Sequence, residues 1–217
     1  LWGIGGENPR VPQADELAEA VENSGFEWLL LDENALTVRF LKPLKLDLGA
    51  IAKGYAADEM KRVLLENGVT NAILDLGGDI ITIGSNKNRG WRVGLSDPFD
   101  PDPAKTCAIV TIADQTIVTS GNYERYFIHE NTHYHHIFNR TTGFPAESGL
   151  VSATVIADNS ATADILSTAF FVMGTEKAAK FAEKFSSEFA EIAYIFIDSD
   201  MNFTYSEGLE LELELVN

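Results

Sequence analysis

"LDLGAIAKGYAAD", residues 46–58, places a lysine in the opening turn of a helix. Gly49 and Ala50 open that helix in this reading, Asp47 stands just before it, and Lys53 lies inside its first turn. A helix start leaves backbone N–H groups unpaired and carries partial positive charge, so a cation is a poor stabiliser there. Two readings are open. Either Asp47 caps a helix whose lysine points into water, or a negative group such as a phosphate binds at that end and meets the lysine.

Outward from this helix, short strands and turns dominate. Upstream, residues 13–24 show helical spacing at Leu17, Ala20 and Val21, and "FEWLLLD" and "LTVRFL" flank a turn at 32–35. Downstream, the helix runs to Glu66 and ends at Asn67–Gly68, and "NAILDLGGDIITIG" reads as two strands around Gly77 and Gly78. Further strands are expected in "WRVGLSDP", "CAIVTIAD", "TIVTSG", "ERYFIH", "HYHHIF" and "SATVIAD", then in the hairpin "IAYIFID" and "NFTYS". Helices are expected over 160–173 and 175–185, divided by Gly174, and "GLELELELV" sets Leu209, Leu211, Leu213 and Leu215 on one strand face. Strands outnumber helices and the joints are short, which predicts an α+β fold with largely antiparallel sheet. One core spanning 1–217 is expected, with the proline-rich loop 97–105 as a candidate subdomain boundary.

The chain has 217 residues, 45% hydrophobic, with a formal net charge of −17 from 16 basic and 33 acidic residues. Such a balance argues against a nucleic-acid partner. No Lys or Arg follows Lys184, while residues 188–214 supply eight carboxylates. An anionic ligand must therefore find local positive charge or a bound cation, which points to a metal ion. Cys107 is the single cysteine, which excludes an intrachain disulfide and a multi-cysteine metal site. No apolar run approaches the roughly 18 residues of a transmembrane span. "LWGIGGENPR" lacks a basic stretch followed by an apolar core, so any targeting segment is expected outside this sequence.

Four stretches carry candidate chemistry. In "ADNSATADILSTAFFVMG", residues 157–174, the helix is apolar nearly all round and is expected to be buried, yet Asp164 and Thr168 share one face with Ser167 alongside. A buried carboxylate needs a partner. Carboxylate plus hydroxyl is hard-ligand chemistry suited to Mg²⁺ or Ca²⁺, although a water-facing stripe or a backbone N–H would also satisfy Asp164. In "DLGGDI", Gly77 and Gly78 suit a primed hairpin turn and also admit a flat ligand close to the backbone. In "TSGNYERYF", Ser120, Gly121 and Asn122 offer a hydroxyl, an unobstructed N–H and an amide to a phosphate or heterocycle, or simply make a turn. In "HYHHIFNRTTG", His133 and His135 share a strand face as a candidate metal pair, and His136 points the other way as a candidate general base.

Taken in order, "LDLGAIAKGYAAD", "DLGGDI", "TSGNYERYF", "HHIFNRTTGFP" and "ATADILSTAFFVMG" resemble the ApbE family of FAD:protein FMN transferases. The resemblance covers nearly the whole chain. It implies that FAD binds with Mg²⁺, that AMP leaves, and that FMN is joined through its phosphate to a threonine of an acceptor protein. It also implies Asp47 and Lys53 as FAD contacts, the Ala50 carbonyl, Asp164 and Thr168 as Mg²⁺ ligands with Ser167 adjacent, and Ile137 as a flavin contact. Gly77, Gly78, Asp79, Ser120, Gly121 and Asn122 would line the flavin pocket, and His136 would be the base. Family members are typically lipid-anchored on the outer side of the inner membrane. Some hydrolyse FAD to FMN and AMP, so an FAD pyrophosphatase and a non-catalytic flavin-binding module are the alternatives. Where the family usually has Asp-Pro, this chain has Asn139–Arg140, an arginine that would suit a phosphate. By the same resemblance, "LWGIGG" falls well inside a full-length member, so a preceding segment is expected beyond this sequence.

Overall fold

The computed structural model describes the chain except Asn88, Pro103, Phe189, Glu210 and residues 214–217, and describes backbone alone over Leu211–Leu213. In chain order the elements are α1 (Ala14–Glu22), β1 (Leu29–Asp32), β2 (Thr37–Phe40), α2 (Ala52–Glu66), β3 (Ala72–Asp75), β4 (Ile80–Ile83), β5 (Trp91–Ser96), β6 (Thr106–Ile112) and β7 (Thr116–Gly121). They continue with β8 (Tyr126–His129), β9 (Thr132–His135), β10 (Leu150–Ala157), α3 (Ser160–Met173), α4 (Thr175–Glu188), β11 (Ile192–Asp198), β12 (Phe203–Tyr205) and β13 (Leu211–Leu213). Every strand pairing is antiparallel among the described residues, and the fold is α+β.

The chain divides into two units, neither of them continuous in sequence: Leu1–Asp47 with Glu124–Glu147, and Leu48–Tyr123 with Ser148–Asn217. The proline-rich loop 97–105 joins β5 to β6 within the second unit.

In the first unit, Trp2 is buried and its indole N–H donates to the Gly143 carbonyl at 3.0 Å. Its ring meets Tyr134 at 5.2 Å, stacks on Phe138 at 5.8 Å and meets Phe144 edge-on at 5.4 Å, spacings at which aromatic pairs add to simple burial. The expected strand at "FEWLLLD" begins only at Leu29, because Gly25 at φ 141° turns the chain and Phe26–Trp28 forms a 3₁₀ turn closed by the Trp28 N–H on the Gly25 carbonyl. β8 and β9 form a hairpin whose two loop residues, Glu130 and Asn131, both have positive φ, as a primed turn requires.

The second unit has a six-stranded sheet ordered β12-β11-β10-β7-β4-β3 and a three-stranded sheet β13-β6-β5. β10 is buried along its whole length, as a central strand covered on both faces should be. Side chains alternate across the large sheet with period two. Ile117, Ile156, Ile195 and Ile197 pack against Val93, Leu95, Val110 and Ile112 of the smaller sheet. Phe196 faces the other way and meets Phe170 of α3 edge-on at 5.8 Å. On β7 the same alternation turns Thr116 and Ser120 toward α3, where their hydroxyls reach Ser160 and Ser167. The leucine face expected over 209–215 falls largely outside the described side chains; the Leu211–Leu213 backbone pairs with β6.

Candidate functional site

α2 starts later than its sequence predicts. Gly49 and Ala50 form a turn, and the helix begins at Ala52. Ile51, at its N-cap, has no side-chain oxygen to offer the first turn. That acceptor comes from 110 residues away: the Gly54 N–H donates to Asp164 Oδ2 at 2.9 Å. An unbroken helix would hand the Gly54 N–H to the Ala50 carbonyl. The bond to Asp164 instead leaves that carbonyl without its ordinary donor.

Asp164 lies on α3, 4% exposed, where a carboxylate is costly without partners. α3 is capped by Asn159, whose Oδ1 accepts the Thr162 N–H at 2.8 Å, and Gly174 at φ 75° stops it. Ser167 is buried on the same helix and donates to the Asp164 carbonyl at 3.0 Å. Ser120 Oγ sits 2.9 Å from Ser167 Oγ and 3.0 Å from Thr168 Oγ1, so three of the expected site hydroxyls form one cluster.

Lys53 is answered by a side chain. Its Nζ lies 2.7 Å from Oδ1 of Asp79, a fully buried residue. The other oxygen, Asp79 Oδ2, is buried with no hydrogen-bond partner among the described residues. Burial pushes the Asp79 carboxyl above its ordinary value; Lys53 opposes the rise, and the nearby charges of Asp164 and Asp75 add to it. Desolvation outweighs the ion pair because the Asp79 carboxylate is buried and Lys53 reaches only one of its two oxygens. The turn before Asp79 is a two-residue one: Gly77 and Gly78 take φ 72° and 96°, Leu76 N–H donates to the Asp79 carbonyl at 3.0 Å, and Asp75 Oδ1 accepts the Gly78 N–H at 2.9 Å. A Cβ at either glycine would meet nothing within 4 Å, so the turn is both a conformational need and an open surface. Gly121 ends β7 opposite Ser152, and the Asn122 N–H donates to the Val151 carbonyl at 3.2 Å.

Asp47, His136 and Ile137 belong to the first unit. Ile137 is buried, donates its N–H to His135 Nδ1 at 3.3 Å and accepts the Ala146 N–H at 2.9 Å. His136 Nδ1 lies 3.2 Å from the Arg125 carbonyl. A carbonyl only accepts, so a hydrogen bond there needs a proton on Nδ1. His133 and His135 stand 6.1 Å apart, ring centre to ring centre, with His135 Nδ1 already used by Ile137. Arg140 is held by Glu27 and by the Ser24 carbonyl, so it is committed inside its own unit, and Asn139 shapes the turn by accepting the Thr141 N–H at 2.9 Å.

Burial lowers the His135 pKa to about 4. In the unfolded chain it titrates near its ordinary value of 6.5. Between those values the unfolded state holds a proton that the folded state refuses, so stability is intact above the unfolded pKa and is lost as pH falls. The unfolding free energy should be about 2 kcal/mol lower at pH 5 than at pH 7.5. Urea titrations at the two pH values, with a His135→Gln variant showing a flatter profile, check this.

Among the described residues no group of three His, Cys, Asp or Glu side chains is arranged to hold a metal. The oxygen donors that the resemblance points to are of other kinds: the Asp164 carboxylate, which meets α2 at Gly54, the Thr168 hydroxyl, 3.0 Å from Ser120 Oγ, and the Ala50 carbonyl, which lacks the Gly54 N–H. All three are hard oxygen donors, a chemistry that suits Mg²⁺ or Ca²⁺ better than a transition metal. The residue that sequence reasoning passed over is Asp58, whose carboxylate takes the Ser160 and Ala161 N–H groups at 2.8 and 2.9 Å. Its signal was the spacing shared by "GYAAD" and "SATAD", a small residue followed four positions on by aspartate.

Residues 1–193 match the ApbE family. An FAD:protein FMN transferase of Treponema pallidum is 35% identical over 224 residues, covering 96% of this chain and 60% of the relative. One of Klebsiella pneumoniae is 38% identical over 178 residues, covering 82% of this chain and 54% of the relative. Among solved structures, the ApbE protein of Thermotoga maritima superposes with a TM-score of 0.83 at 34% identity, over 95% of this chain and 66% of that one. The flavin transferase ApbE of Vibrio cholerae gives 0.77 at 31% identity, over 93% of this chain and 62% of that one. The antiparallel α+β core with its paired helices is thus a known architecture, that of flavin-handling proteins. The chain belongs to the ApbE family, and it spans 60% or less of the length of these two curated relatives.

Proposed function

We propose that this chain carries the core of a Mg²⁺-dependent FAD:protein FMN transferase. The observation that carries the proposal is the Gly54 N–H taken by the buried Asp164, which leaves the Ala50 carbonyl without its ordinary helical donor. Relatives bearing that activity in their names support it. In this reading Asp164, Thr168 and the Ala50 carbonyl hold Mg²⁺, with Ser167 keeping the Asp164 turn in place. When bound, the ion would neutralise charge on the pyrophosphate oxygens of FAD. Lys53, held on Asp79 in this structure, would lend its half-exposed ammonium to the pyrophosphate when FAD binds. Gly77 and Gly78 leave room for a flat ring; Asp79, Ser120, Gly121 and Asn122 are the second unit's candidate flavin contacts, and Asp47 and Ile137 are those of the first unit.

The chemistry is a phosphoryl substitution. The hydroxyl oxygen of an acceptor threonine bonds to the phosphorus of the FMN half. The bond from that phosphorus to the bridging oxygen breaks, and AMP departs with the electron pair. His136 is the base of this reading and takes the hydroxyl proton on a ring nitrogen.

Incubation of the chain with FAD, Mg²⁺ and a threonine-bearing acceptor should give a fluorescent acceptor band on a denaturing gel, lost with EDTA. AMP and free FMN released at the same rate without acceptor would make it an FAD pyrophosphatase. Neither product, with FAD bound, would leave a flavin-binding module.

A further inference from the structure

α2 and α3 cap each other. The Gly54 N–H of α2 donates to Asp164 Oδ2 of α3 at 2.9 Å. In return, the Ser160 and Ala161 N–H groups of α3 donate to Asp58 Oδ1 and Oδ2 of α2 at 2.8 and 2.9 Å. Each helix therefore offers a first-turn donor, Gly54 or Ser160, and a carboxylate four residues later, Asp58 or Asp164. That spacing puts donor and acceptor on one helix face. The pairing is reciprocal and brings the backbones into contact: a Cβ at Gly54 would fall 2.4 Å from the Ser160 carbonyl oxygen and 2.7 Å from the Ala161 Cα. α3 also has a cap of its own, since Asn159 takes the Thr162 N–H. Asp58 thus adds something other than helix initiation: it ties the start of α3 to a fixed height on α2.

We propose that Asp58 is a positioning residue for the cation site. By holding Ser160 and Ala161, it sets where Asp164 meets α2, and so keeps the Gly54 N–H on Asp164 and off the Ala50 carbonyl. The inference rests on the function proposed above. Its physical content is a coupling between two cation donors. If α3 shifts along α2, the carboxylate of Asp164 leaves Gly54, and the released N–H closes onto the Ala50 carbonyl as in any helix. One oxygen is displaced and the other is occupied by the same movement.

The test uses Mn²⁺ as a paramagnetic stand-in for Mg²⁺, titrated into the chain in the presence of FAD, with free Mn²⁺ read by electron paramagnetic resonance. Asp58→Asn, isosteric and retaining one acceptor oxygen, should weaken Mn²⁺ binding about tenfold, as loss of a residue that orients a ligand does. Asn159→Ala removes a cap from the same helix but leaves the clamp, and should bind Mn²⁺ as the parent does. Equal affinity in Asp58→Asn and the parent overturns the inference, as does an equal loss in Asn159→Ala, which would mean that generic loosening of α3 is enough. If Asp58→Asn does not fold, Asp58→Glu replaces it, moving both acceptors outward by one methylene, and unchanged Mn²⁺ affinity there is the overturning result. No Mn²⁺ uptake by the parent sinks the proposed function itself, a failure distinguishable from the first two.

Discussion

Asp164→Ala is expected to lower FMN transfer about a thousandfold, the equivalent of several kcal/mol of lost transition-state stabilisation, while the chain stays folded. The two halves of that expectation have separate causes. Removing the carboxylate removes a buried charge and its oxygen donor from the proposed cation site. The Gly54 N–H that it held is not stranded, because the Ala50 carbonyl, its ordinary helical acceptor, stands ready to take it. The cost to stability should therefore be small, and α2 should gain a turn at its start. Slower amide exchange at the head of α2, with transfer abolished, would show both effects. Asp164→Asn is the sharper variant. An amide oxygen can keep the Gly54 bond, but its NH₂ faces the place where a cation would sit, so transfer should fall as far as in the alanine variant. Transfer within tenfold of the parent in Asp164→Asn would refute a ligand role for this residue.

What was legible in advance follows the range over which each feature is decided. The hydrophilic stripe of Asp164, Ser167 and Thr168 on an otherwise apolar helix was readable, because helical spacing alone puts those side chains together. The Gly77–Gly78 turn and the antiparallel α+β class were readable for the same reason, being set by local turn chemistry. The start of α2 was not. Its first-turn N–H is satisfied by a residue 110 positions away, so no local capping signal marks it, and the helix begins at Ala52 rather than at Gly49. The partner of Lys53 was hidden likewise, since Asp79 meets it through the packing of β4 and α2. The two units escaped because each is assembled from separated stretches, while the change in composition at 97–105 only marks a loop between neighbouring strands.

Lys53→Met should destabilise the chain, in the absence of FAD, by about 3 kcal/mol near pH 8, the low end of the cost of breaking a buried ion pair from one side. The low end applies because Lys53 is 42% exposed while Asp79 is 1% exposed, so the ammonium loses little solvation and the carboxylate bears nearly the whole penalty. The pH dependence identifies the cause. Burial already holds the Asp79 carboxyl above its ordinary value with Lys53 opposing the rise, and without that opposition it climbs further. Where folded pKa exceeds unfolded pKa, the folded state binds the proton first, so stability grows as pH falls through the folded value toward the unfolded one. The deficit of Lys53→Met should therefore shrink in acid, as the stranded carboxylate becomes a neutral acid. Asp79→Asn should cost less than Lys53→Met, and the double variant should recover most of the loss, because no buried charge remains to be compensated. Urea unfolding of the three variants near pH 8 and near pH 5 separates this from simple loss of the lysine's packing. A deficit of the same size at both pH values, unrelieved by Asp79→Asn, would mean that the carboxylate had found another partner and that Lys53 is not what makes a charge tolerable at this depth.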